Sequence, residues 1–173
     1  MMVTVHPCFH WIGYHISTGL LQEGIEVVGI DPIVDERSDL LYMYVGRNSN
    51  FQHFFRKEEK ENHVQQTDDE VMIEFVEDCI LIKRNDRDKE LVKLPPLYGE
   101  WMNFERLGIR DKDSLQQWVE EHEAVYIEDF LKELFPIVLR DEGFYWTATE
   151  QGESVLKERL EEIWRCQRLL AEA

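Results

Sequence analysis

The first thirty-one residues, MMVTVHPCFHWIGYHISTGLLQEGIEVVGID, constrain this chain more than any other stretch. Val3 to Val5 reads as a short apolar strand. Ile12 to Gln22 reads as a helix, with Ile12, Ile16, Leu20 and Leu21 apolar on one face. Gly24 ends it, and Ile25 to Ile30 is a β-rich run suited to burial in a sheet. A strand, a crossover helix and a second strand make a parallel pair, so an α/β fold follows. Asp31 stands directly after the second strand.

Composition narrows the class. At 173 residues, one domain with a substantial core is the natural expectation. There are 36 acidic against 19 basic residues, a formal charge of -17. A field of that sign repels nucleic acid and anionic membrane, and it steers free anionic cofactors poorly. No apolar run approaches the roughly 20 residues of a membrane span. Met1 to Val5 lacks the basic start and long apolar core of a signal peptide. Cys8, Cys79 and Cys166 are far apart, which suits reduced thiols and predicts a cytoplasmic protein.

Further along, Asp39 to Val45 predicts a short helix, 47–50 a loop and Phe51 to Phe55 a third strand. The stretch from Arg56 to Glu70 is dense in charge and is read as a charged loop, with Arg56 to Asn62 a solvated face. Val71 to Phe75 and Cys79 to Lys83 form a predicted hairpin through Glu77-Asp78. Leu91 to Leu94 is a further strand, ended by Pro95-Pro96. Asp113 is the expected cap of a helix over Ser114 to Glu121, and Ala124 to Ile127 is extended. Glu128 to Leu139 is amphipathic, with Phe130, Leu131, Leu134, Phe135, Val138 and Leu139 on one face. Gly143 to Thr147 is expected to be extended, and Ser154 to cap a last helix reaching Leu170.

A β-α-β unit followed by an acidic residue is how dinucleotide-binding folds open, and Asp31 stands where such folds hold a ribose. Four stretches, in order, resemble the extended short-chain dehydrogenase/reductases, the NAD-dependent sugar epimerase/dehydratase family. WIGYHISTGLLQEGIEVVGID is similar to that family's first crossover helix and second strand. Its gap from Gly13 to Asp31 fits the family's gap from the last motif glycine to the acidic residue. LVKLPPLYGEW, from Leu91 to Trp101, resembles the strand and loop after the catalytic helix. AVYIEDFLKEL, from Ala124 to Leu134, resembles a later strand-to-helix segment. EGFYWTATEQGESVLKERLEEIW, from Glu142 to Trp164, resembles a piece of the substrate lobe. The resemblance implies a shortened Rossmann-like, NAD(P)-binding-type sheet with flanking helices and a small C-terminal lobe. It makes Gly13 and Asp31 the cofactor-side residues and Tyr98 and Trp101 the substrate-side remnant.

The departures are as informative. Family members are about twice as long, and the missing part is the one that carries their Tyr-x-x-x-Lys pair. Tyr14, Tyr42, Tyr44, Tyr98, Tyr126 and Tyr145 are followed four residues on by Thr18, Gly46, Asn48, Met102, Phe130 and Thr149, never by lysine. The glycine loop that would approach a pyrophosphate reads Val5-His6-Pro7-Cys8-Phe9-His10-Trp11, and only Gly13 survives. The bulk of Pro7, Phe9 and Trp11 suits a loop that plugs the cleft.

Other constellations carry less. His6, Cys8 and His10, with His15 nearby, alternate as metal ligands could, but the spacing is not that of a structural zinc site. Tyr126, Glu128 and Asp129 read as helix-start and packing residues. No G-x-S-x-G, Walker loop or CxxC pair is present. The sequence is therefore read as one domain over 1–173, with a βαβ remnant at 1–55, the charged loop at 56–70 and the remaining strands and helices at 71–173. The expected function is a non-catalytic scaffold, regulatory or partner-binding protein, without catalytic residues, cofactor or metal. The alternative is an enzyme or sensor that binds a nucleotide or sugar nucleotide. Loss of the covering helices leaves Ile25 to Ile30 and Val71 to Phe75 in need of a cover, which predicts a homodimer or a protein partner.

Overall fold

The computed structural model of the chain describes residues 1–65, 67–140 and 153–172. The chain gathers into two compact units, Met1–Leu94 and Pro95–Ala173.

The first unit is built on a six-stranded sheet. In chain order its elements are β1 (Met2–His6), α1 (Trp11–Gln22), β2 (Glu26–Ile30), α2 (Glu36–Val45), β3 (Phe51–Phe54), α3 (Lys57–His63), β4 (Glu70–Val76), β5 (Cys79–Lys83) and β6 (Lys89–Lys93). The strands lie in the order β3-β2-β1-β4-β5-β6. The first four are mutually parallel and the last two pairings antiparallel. The mixture follows from the connections. Each parallel step has a helix to carry the chain back, whereas β4 and β5 are joined by Glu77-Asp78 alone. Glu77 takes the left-handed conformation that this tight hairpin demands (φ 55°). The α/β, Rossmann-like expectation is met: β3-β2-β1-β4 is the order of the first half of that fold.

Register sorts the side chains. Val3, Val5, Val27, Gly29, Val71 and Ile73 share one face, and Met2, Thr4, Val28, Ile30, Glu70 and Met72 the other. Val3, Thr4 and Val5 are fully buried, and so are Val27, Val28 and Ile30. Both faces of the central strands are thus covered within the chain, and the open apolar face expected for Ile25 to Ile30 is absent.

Helix ends explain most shifts from the sequence reading. Helix α2 starts at Glu36 rather than Asp39, because Asp35 caps it: Ser38 N donates to Asp35 Oδ1 at 2.7 Å, and the Ser38 hydroxyl accepts from Asp35 N at 3.1 Å. The charged stretch is not all loop, since Lys57–His63 is helical. Nor is it wholly solvated: Lys60 is buried in an ion pair with Glu70, whose Oε1 also accepts from the Thr4 hydroxyl at 2.7 Å. Strand β6 begins two residues earlier than Leu91.

The second unit contains β7 (Leu97–Tyr98), α4 (Phe104–Leu107), α5 (Lys112–Glu121), β8 (Val125–Tyr126), α6 (Ile127–Leu139) and α7 (Glu153–Glu172). β7 and β8 pair in parallel. The cap of α5 is Asp111, not Asp113, through the same reciprocal box with Ser114 (2.7 and 3.0 Å). Ser154 lies inside α7 rather than capping it. The apolar face expected of α6 is buried at Phe130, Leu131, Leu134, Phe135 and Val138. The extended segment expected at Gly143 to Thr147 lies outside the described residues.

Candidate functional site

In an open parallel sheet, ligands bind beyond the carboxyl ends of the strands, where neighbouring connections diverge. Here that point lies between β1 and β4, and the loop from Pro7 to His10 runs over it. The loop's amides are engaged by the chain itself. Cys8 N donates to Ile30 O at 3.2 Å, and Phe9 N donates to Asp31 Oδ2 at 3.0 Å. His10 caps α1, its Nδ1 accepting weakly from Ile12 N at 3.4 Å.

Aromatic bulk fills the rest. The Phe9 ring lies 5.1 Å from the His53 ring on β3 and 6.3 Å, edge-on, from Tyr42 on α2. His53 also meets Tyr42 (5.3 Å) and Phe55 (5.0 Å). His10 packs on Phe75 of β4 at 5.1 Å. His53 Nε2 donates to the Asp31 backbone oxygen at 2.7 Å, which places its proton on Nε2. Burial holds the Asp31 carboxyl above the usual range, against the Phe9 amide and the nearby His6 and His53, which favour ionisation. Burial, and then the Asp31 charge, push the Cys8 thiol far up.

Gly13 has a packing role. A Cβ there would stand 2.1 Å from Pro7 O, so the helix touches the loop backbone directly. A bound dinucleotide needs open loop amides for its pyrophosphate and a free carboxylate for its ribose. Phe9 N and Asp31 are spent on each other. These residues do not fit NAD(P). The metal candidates are not assembled either. Cys8 is buried against the Gly29 backbone, His10 is exposed at the helix cap, and among the described residues no group of three His, Cys, Asp or Glu side chains could hold an ion.

The second unit holds a separate cleft of about 560 Å³ lined by Glu100, Tyr126, Glu128, Val155 and Arg159, among others. Tyr126 donates its hydroxyl to Glu100 Oε1 at 2.6 Å. Arg159 stacks over the Tyr126 ring at 4.2 Å and pairs with Asp129 at 3.2 Å, and Asp129 also meets Lys132 at 3.4 Å. Burial and then the Glu100 carboxylate push the Tyr126 hydroxyl far up, so it stays protonated and donates to Glu100. The same two causes raise the Glu128 carboxyl. Tyr98 is buried with its ring 5.4 Å from Tyr126, and Trp101 is buried at a left-handed backbone position (φ 69°). Neither lines the cleft. The sequence marks Tyr126, Glu128 and Asp129 as helix-start and packing residues, and they open α6, whereas Glu100 and Arg159 carry no such signal. Arg159 is one basic residue in a mixed-charge helix, and nothing in its local pattern marks it out.

Compared with protein-family models, curated proteins and solved structures, the chain matches none.

Proposed function

We propose that this chain is a non-catalytic scaffold or partner-binding protein, a shortened relative of the NAD-dependent epimerase/dehydratase family that has lost the catalytic middle. The carrying observation is the Phe9 N–Asp31 Oδ2 hydrogen bond, which turns the two groups most useful to a dinucleotide toward each other. The absence of any Tyr-x-x-x-Lys pair supports the same reading, since it removes the acid–base help worth roughly 10²–10⁴-fold. Partner binding or a homodimer remains part of the proposal. Leu91 (67%), on the edge strand β6, and Val76 (45%), at the end of β4, are apolar side chains left exposed. Three free cysteines fit a reducing, cytoplasmic setting. Among the described residues no helix is long and apolar enough to cross a membrane.

Two measurements test this. Incubation with NAD and a nucleotide sugar should give no reduction at an enzyme rate; turnover abolished by mutation in this chain would overturn the reading. Native mass spectrometry should show a dimer or a retained protein partner, whereas only a 20.8 kDa species with bound nucleotide would oppose it.

A further inference from the structure

The open edge of the sheet gives the proposed partner a chemistry. Strand β6 is the last in the order β3-β2-β1-β4-β5-β6, and among the described residues no strand pairs with its outer side. Leu94 N donates to Asp78 O at 2.8 Å, and Arg84 N donates to Asp88 O at 3.0 Å. Hydrogen-bonded pairs alternate along an antiparallel ladder, so residues 88, 90, 92 and 94 spend their backbone groups on β5. The N–H and C=O groups of Lys89, Leu91 and Lys93 therefore point outward, as a template for one more strand.

The side chains of those three residues stand together. They share one face of the sheet with their register partners Lys83, Leu81 and Cys79. All three are exposed, whereas Glu90 and Val92 on the other face are half-buried. An exposed leucine thus lies between two exposed lysines. Lys83 stands directly opposite Lys89, a like-charge pair that costs stability until an anion answers it. Lys83 reaches the exposed Asp86 at 3.9 Å, and among the described residues Lys89 and Lys93 have no ion-pair partner. From Lys83 to Lys93 there are five basic side chains and three acidic ones, on a chain with 19 basic and 36 acidic residues.

We infer, resting on the partner-binding reading, that β6 is a docking edge for an extended segment of another protein with the pattern acidic-x-apolar-x-acidic. Its backbone adds a strand to the sheet, its apolar residue packs on Leu91, and its two carboxylates meet Lys89 and Lys93. A second copy of this chain fits poorly. Two β6 strands aligned Leu91 to Leu91 about a two-fold axis set Lys89 opposite Lys93 twice. Lysines on an edge strand keep like edges apart in this way, and an acidic strand meets the same lysines with attraction. The overall charge of -17 opposes such a partner at a distance. That field is screened beyond about 8 Å at physiological salt, so the lysines nearest the strand decide the contact.

The test titrates the whole chain with the capped heptapeptide Thr-Glu-Thr-Val-Thr-Glu-Thr, and separately with Thr-Lys-Thr-Val-Thr-Lys-Thr, at constant ionic strength. Binding is read from amide resonances and amide hydrogen exchange. The acidic peptide should saturate at roughly millimolar concentration or below, shift the Lys89, Leu91 and Lys93 amides and slow their exchange. The double variant Lys89→Glu, Lys93→Glu changes exposed positions and should fold. It should bind the acidic peptide about tenfold more weakly than wild type, and the lysine peptide about tenfold more tightly. No saturable shift at these amides would overturn the inference, as would an equal response to both peptides. Shifts without slowed exchange would also overturn it, because charge attraction would then act without strand addition. A wild-type dimer whose Lys89, Leu91 and Lys93 amides are protected before any peptide is added would show that a second copy holds the edge. That result overturns the inference and leaves the non-catalytic reading in place. Failure of the non-catalytic reading looks different, since it appears as turnover of NAD with a nucleotide sugar.

Discussion

Asp31 Oδ2 accepts the Phe9 amide proton at 3.0 Å, so the acidic residue that ends β2 is bonded to the loop that ends β1. One bond joins the two segments from which a dinucleotide site would be made. It leaves each without the group it would offer a ligand. The sheet has the Rossmann-like strand order, and Phe9, Tyr42 and His53 pack together beside this bond.

The Asp31 carboxyl supplies a pH test. Its ionisation is held above the ordinary value of 3.8 by burial, which outweighs the help of the Phe9 amide, His6 and His53. The folded state therefore binds this proton more tightly than the unfolded chain does. Its contribution to stability is present below the unfolded pKa and declines as pH rises through the folded pKa. Asp31→Asn cannot titrate. The stability of Asp31→Asn relative to wild type should thus rise from about pH 4 upward and then level off. Urea denaturation across pH 3.5 to 7 checks this. A relative stability that falls with pH would mean the carboxylate is held as a favourable ion.

Gly13→Ala should destabilise the first unit by about 2–3 kcal/mol, because the added methyl meets Pro7 O, a backbone atom that cannot step aside cheaply. Gly24→Ala is the instructive comparison. Its Cβ would meet nothing within 4 Å, and its cost comes only from the left-handed backbone (φ +77°). Gly13→Ala should therefore disturb the loop amides of Cys8 and Phe9 in an NMR spectrum, and Gly24→Ala should leave them alone. Equal spectra for the two would show that helix and loop are not in contact at Gly13.

Lys60 and Glu70 form a buried ion pair, with side chains 7% and 5% exposed. Lys60→Met alone strands a buried carboxylate and should cost about 3–5 kcal/mol. Lys60→Met with Glu70→Met removes both charges and should recover most of that loss, short of about 1 kcal/mol for the Thr4 hydroxyl left without its acceptor. A double-mutant cycle in urea reads the coupling directly. Additive losses would mean that the two side chains do not meet in solution.

The sheet was legible because its strands are apolar and its breaks are marked. Ile25 to Ile30, the Glu77-Asp78 turn and Pro95-Pro96 each carry a local signal that tertiary contacts do not override. Helix starts were less legible. At 35–38 and 111–114 an aspartate three residues ahead of a serine sets the cap, and in the second case a nearer aspartate, Asp113, competes on paper. The charged stretch misled because its order depends on partners elsewhere: Lys57 and Lys60 pair with Glu74 and Glu70 on β4. The site divided in the same way. Bulk in the loop from Pro7 to Trp11 announced a filled crevice. That Asp31 would bond the Phe9 amide, 22 residues away, is a fact of three dimensions with no local signature.

Calorimetric titration of the wild-type protein with NADH tests the closed crevice most directly. The predicted result is no saturable heat up to millimolar ligand, a binding free energy weaker than about -4 kcal/mol. A saturable isotherm with a dissociation constant in the low micromolar range, weakened by Asp31→Ala, would contradict it. Asp31 would then be serving a ribose, and its bond to Phe9 would have to open on binding.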